Sequence, residues 1–196
     1  MNYLILITTI LVISACQAPF GESAKSSTNS FLTGTWLEYP CNVADDSSIN
    51  VRSIFGPNNS ITARIEVSFD LNCQNIDTIR EFSGTYQLTG VDQSGLGQNI
   101  DFSFTSEFVV YASDAALALA NNFQYCNRSN WVKGVRYEAS AENCLETQVP
   151  MNSYNIVKLI YSEELKQQVL VFGVSSGNPL NRPTAYDEDR PVIRIK

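Results

Sequence analysis

Gly34-Thr35-Trp36-Leu37-Glu38-Tyr39-Pro40-Cys41 is the stretch on which the fold turns. Residues 31–39 read as a first β-strand, and Pro40 stops it. Trp36 is the first tryptophan of the chain, and Cys41 is its first disulfide candidate. Beyond Cys41 the chain alternates strands and turns that can close back onto this segment.

Working outward on the C-terminal side, residues 42–50 are polar and carry Asp45-Asp46, which reads as a loop. Residues 51–55 read as a short strand, and Gly56-Pro57-Asn58-Asn59 as a turn. Residues 61–69 alternate. Ile61, Ala63, Ile65, Val67 and Phe69 fall on one face, with polar residues between them, which is the two-residue period of a half-buried strand. Further strands are expected at 79–88, with Gly84 marking a bend or bulge, and at 100–112, as one strand or two. The glycines Gly95 and Gly97 lie in a hairpin loop between them, not in a phosphate-binding loop.

The period then changes. Residues 113–122 begin with Ser113 as N-cap and Asp114 in the first turn, run rich in Ala and Leu, and stop at Asn121-Asn122, which predicts one short helix. Residues 126–133 form a loop around Trp131, and 135–139 a short strand. A hairpin joins 154–161 to 167–172, a long polar segment spans 177–189, and a last strand covers 192–195. About eight strands with one helix fit a single antiparallel β-barrel or β-sandwich. Pairing of the last strand with the first removes the exposed edges.

On the N-terminal side, residues 3–15 are apolar or small and uncharged, too short to span a bilayer as a helix but suited to the core of a signal peptide. The run ends Val12-Ile13-Ser14-Ala15-Cys16, which resembles the lipobox of bacterial lipoproteins. The resemblance implies removal of residues 1–15 and lipidation of the Cys16 thiol. Two or three acyl chains there give firm membrane attachment, where one gives marginal binding. Gln17, where the family often has Asp for inner-membrane retention, implies the outer membrane of a bacterial envelope. Residues 16–30 are then the lipidated cysteine and a polar, aperiodic tether. Residues 31–196 are the β-domain.

Gly34-x-Trp36 is similar to the opening motif of lipocalins. In that family the tryptophan closes one barrel end beneath an arginine from near the last strand, and the resemblance implies Arg194 for that part. Small uncharacterised lipoproteins of this kind also carry two cysteines, a Gly-Thr-Tyr and a late Arg-Pro-Thr. This chain has Cys41, Cys73, Gly84-Thr85-Tyr86 and Arg182-Pro183-Thr184 in that order. The resemblance lends no activity.

Composition narrows the chemistry. The 196 residues are enough for one domain with a core of its own. Twenty acidic against 13 basic residues give a net charge of −7, which repels nucleic acid. There is no histidine, so Ser-His-Asp and Cys-His catalysis are excluded. Of five cysteines, removing Cys16 leaves an even set for the oxidising envelope. Cys41, Cys73, Cys126 and Cys144 admit three connectivities, and Cys41–Cys73 with Cys126–Cys144 closes the shortest loops. A zinc site would need close cysteine pairs that are missing.

The acidic groups Asp45-Asp46, Glu163-Glu164 and Asp187-Glu188-Asp189 fall in loops, as solvated charge rather than catalytic or calcium-binding sets. No catalytic residue, metal or cofactor is expected. Phe102, Phe104, Phe108 and Tyr111 either line a ligand cavity or fill a core. Two functions remain. One is a lipid-anchored barrel holding a small apolar or envelope-derived ligand. The other is a solid module that meets another envelope protein.

Overall fold

The computed structural model describes residues 31–44, 46–139 and 152–195. Residues 1–30, with Cys16 and the tether, and Cys144 lie outside the described residues. The first elements are β1 (Gly34–Glu38), β2 (Asn42–Ala44), β3 (Ser47–Phe55), β4 (Ser60–Ser68), β5 (Ile76–Val91) and β6 (Gln98–Tyr111). Then come α1 (Asp114–Asn122), β7 (Tyr137–Glu138), β8 (Asn152–Ser162), β9 (Gln167–Phe172) and β10 (Val192–Ile195).

The sheet closes on itself. Its order runs β1-β10-β9-β8-β6-β5-β4-β3, and β1 also pairs with β3, so eight strands form a ring with β2 and β7 outside it. All the pairings around the ring are antiparallel. The closing seam puts Trp36 opposite Arg194 on one side and opposite Ser53 on the other. Every ring strand is thereby paired on both sides, which leaves no open edge in the ring.

Because paired residues point to the same face, the register carries one inward set around the ring. It runs from Trp36 to Ser53 and Phe55, then to Ile61 and Ala63, then Phe82. It continues through Phe102, Phe104 and Ile100, then Ser153, Asn155 and Val157, to Phe172, Leu170 and Val192. The alternation of residues 61–67 belongs to this set. At Gly84 the register shifts, and a Cβ there would lie 2.0 Å from the Ser103 carbonyl oxygen, so only glycine fits the bulge.

One end of the barrel is filled. Leu32, Trp36, Phe55, Ile61, Tyr86, Ile100 and Leu170 are among the buried residues of one cluster. Phe55 and Tyr86 meet edge to face at 5.0 Å. The Trp36 indole donates to the Leu32 carbonyl at 2.6 Å, which satisfies its one polar atom. Arg194 lies across the indole, 5.5 Å from its centroid, and donates to the Thr33 carbonyl. Gly34 makes room for it: a Cβ would sit 2.9 Å from the Arg194 Nη2, and the residue's φ is +131°.

α1 forms where the sequence signals place it. The Ser113 hydroxyl accepts from the Ala116 amide at 3.1 Å. Its Ala116 and Ala120 pack with Val109, Tyr111 and Trp131 in a second, smaller cluster beside the C-terminal end of β6.

Two expectations need correcting. Residues 42–44 and 47–50 are not loop but paired strand, β2 against the first half of β3, and Ser48 and Ile49 pair in turn with Ser68 and Val67 of β4. Pairing with an existing strand overrides their low strand propensity. Residues 100–111 belong to a single strand, one of the two readings their sequence allowed. Phe69 lies beyond the end of β4 and is exposed, so it leaves the inward face that its alternation suggested.

Candidate functional site

Above the filled end, the barrel interior holds a cavity of about 470 Å³. Its walls come from residues that strand alternation turns inward: Val51 and Ser53 of β3, Ile61 and Ala63 of β4, Phe102 and Phe104 of β6, and Phe172 of β9. Small residues create the space. Ser53 and Ala63 stand directly opposite one another on β3 and β4, in a cavity whose other walls include the stacked rings of Phe102 and Phe104. Phe102 and Phe104 therefore line a cavity. Phe108 instead carries Arg136 over its ring, and Tyr111 belongs to the α1 cluster.

Polar groups gather on the side of the cavity where β1 and β9 end and β8 and β10 begin. Glu38 closes β1, Ser153 lies at the start of β8, and Ser175, Ser176, Asp187 and Arg190 come from the segment between β9 and β10. Ser153 and Asn155 are buried. The Asn155 side-chain amide donates to the Ser175 hydroxyl at 2.8 Å, and its oxygen accepts from the Ile156 amide at 2.8 Å.

Arg190 is held mainly by one partner. Its Nε and Nη2 reach Asp187 Oδ2 at 2.8 and 2.7 Å, and its Nη1 stands 3.6 Å from Glu38 Oε1. The hydrogen bond to Asp187 raises the guanidinium's pKa. Burial raises that of Glu38, the Arg190 charge offsets part of the rise, and the Asp187 charge adds to it.

The polar segment after β9 is fastened to the outside of the barrel. Ser176 pairs with Tyr154, and Asp187 donates its amide to the Phe172 carbonyl at 2.8 Å. Arg182 donates to the carbonyls of Ile100 and Asn155 at 3.1 and 2.7 Å, and to the Asp101 carboxylate. Tyr186 donates to Asp92 in the β5–β6 turn. Burial and then the Asp92 contact push the Tyr186 phenol up. Burial pushes the Asp92 carboxyl up, but hydrogen bonds from Tyr186, Ser94, Gly97 and Gly95 outweigh it and hold it below the usual range. These ties set Asp187 and Arg190 at the cavity.

The residues expected from sequence fall in three places. Trp36 and Arg194 meet at the filled end. Cys41 is bonded to Cys73, 32 residues on, and ties the loop before β2 to the turn after β4. Cys126 is disulfide-bonded, while Cys144, the partner expected for it, lies outside the described residues. Glu163 and Glu164 are exposed in the β8–β9 turn, and Glu188 pairs with Lys158 at 2.7 Å. No motif marks Glu38, Arg190, Ser153 or Asn155. For Glu38 the one available signal is its inward phase with Trp36, two residues earlier.

Among the described residues no helix is long and apolar enough to cross a membrane, and no cluster of three or more metal-ligating side chains occurs. No family model matches the chain, and no curated protein shows detectable similarity to it.

Proposed function

We propose that this is a non-catalytic, lipid-anchored protein of a bacterial envelope whose barrel holds a small apolar or envelope-derived ligand. The observation that carries the reading is the cavity itself. Its volume of about 470 Å³ lies within the roughly 300–1,000 Å³ usual for small-molecule sites, and its walls are mainly apolar with a few placed polar groups. The closed ring gives that cavity rigid walls, and the likeness of Gly34-x-Trp36 and Arg194 to the lipocalin closure agrees with a ligand barrel. The lipid anchor rests on the Cys16 lipobox.

The test is a fluorescence titration with N-phenyl-1-naphthylamine, a neutral apolar dye. The domain is expected to bind it saturably, and Ala63→Phe, which fills the cavity, is expected to abolish binding while leaving the circular dichroism spectrum unchanged. No saturable binding, or undiminished binding by a folded Ala63→Phe variant, overturns the reading.

The alternative, a module that meets another envelope protein, is favoured by one observation. Leu119 and Phe123 of the α1 region and Phe69 beyond β4 are exposed beside an apolar groove of about 270 Å³. Crosslinking in the native envelope that captures one partner, lost on Phe123→Ser, supports this second function.

A further inference from the structure

Among the described residues, the charged groups lining the barrel cavity are Glu38, Asp187 and Arg190, two carboxylates against one guanidinium. The guanidinium makes its hydrogen bonds to one of the two. Arg190 places both Nε and Nη2 on Asp187 Oδ2, at 2.8 and 2.7 Å. That pair is internally neutral. Glu38 has only a looser ion pair, with Arg190 Nη1 at 3.6 Å, beyond hydrogen-bond distance. Its side chain is 19% exposed, so water compensates it only in part. A carboxylate in that setting gains most from a cation that brings its own hydrogen-bond donors.

From this geometry we infer that the cavity takes an apolar molecule carrying a protonated amine, with the ammonium on Glu38 and the apolar body against Ala63, Phe102 and Phe104. The hydroxyls of Ser153 and Ser175 lie on the same polar side of the cavity and accept the remaining ammonium protons. An anionic head meets the opposite situation. It would stand beside both Glu38 and Asp187 with only the Arg190 charge to balance three negative groups, leaving like charges close together in a half-buried site. Arg190 is thus shared between two carboxylates, tightly with Asp187 and loosely with Glu38, which leaves the group one negative charge in excess. The inference rests on the proposed ligand cavity and adds the charge of the ligand to it.

A set of ligands differing only in the head group tests this: dodecylamine, dodecanol and dodecanoate, titrated calorimetrically at neutral pH and below their aggregation limits. The amine is expected to bind about tenfold or more tightly than the alcohol, and the alcohol more tightly than the carboxylate. Glu38→Gln is expected to abolish the amine's preference over the alcohol. Glu163→Gln, which removes an equal charge from the exposed β8–β9 turn, is expected to change nothing. That control separates a local contact from the attraction of a chain with net charge −7.

Equal binding of amine and alcohol, or an amine preference that survives in Glu38→Gln, overturns the inference and leaves the ligand cavity standing. Failure of all three ligands and of the naphthylamine dye to bind overturns both.

Discussion

Arg194 lies over the indole of Trp36, 5.5 Å from its centroid, and donates to the Thr33 carbonyl one residue before Gly34. The arginine is exposed and the tryptophan is buried, so the pair forms an outer cover on the filled barrel end. Gly34 is part of the same arrangement, since any side chain there meets the guanidinium. Gly34→Ala is expected to destabilise the domain by about 1–3 kcal/mol through its positive φ and this clash. Arg194→Ala is expected to cost about 1 kcal/mol. Urea unfolding midpoints read both, and a Gly34→Ala variant as stable as the parent would remove the need for glycine.

The Cys41–Cys73 bond closes a 32-residue separation. By restricting the unfolded chain it is expected to contribute about 3–4 kcal/mol. The double variant Cys41→Ser, Cys73→Ser is expected to lower the unfolding midpoint accordingly. Peptide mapping without reductant is expected to recover the two cysteines in one crosslinked fragment.

Burial raises the pKa of Glu38 in the folded state above its unfolded value. Its neutral form is therefore favoured by folding. The associated stability is fully present below the unfolded pKa and is lost as pH rises through the folded one. Glu38→Gln is expected to stabilise the ligand-free domain at neutral pH, with the advantage shrinking to nothing as pH falls below the usual glutamate range. Thermal midpoints of the two proteins between about pH 3 and pH 7, the span over which a glutamate titrates, check the sign.

Arg182 joins the segment between β9 and β10 to two carbonyls and one carboxylate on β6 and β8. Arg182→Ala is expected to cost on the order of 2–3 kcal/mol, and Arg182→Lys to recover little, because an ammonium lacks the planar fork that reaches all three acceptors. The Asp187 amide, which reports docking of this segment, is expected to exchange its hydrogen faster in both variants.

The strands were legible wherever apolar and polar residues alternate. Ile61, Ala63, Ile65 and Val67 marked β4 directly, and Ser113 with the Ala- and Leu-rich run after it marked α1. The strands at 42–44 and 47–50 were not legible, because their strand character comes from pairing with neighbouring strands and not from their own side chains. The cavity was illegible for a related reason. Ser53 and Ala63 are ordinary small residues in sequence, and only the register sets them opposite each other. Glu38 and Arg190 are far apart in the chain and meet only because β1 and β10 adjoin.

That adjacency has a consequence in time. Thr33 and Arg194, which touch in the finished barrel, are 161 residues apart in the chain. Contacts so distant in sequence form late, after the loops between them have closed. While a chain of this kind emerges end first, Trp36 has no arginine above it and β1 no partner on its β10 side. The intermediate hairpins from β3 to β6 can form from local pairings, but the ring stays open until residues 192–195 arrive. A chain cut before Val192 would keep two unpaired edges and an uncovered indole, the kind of surface that draws chains into aggregates. The last four residues of the barrel thus decide when it stops being adhesive.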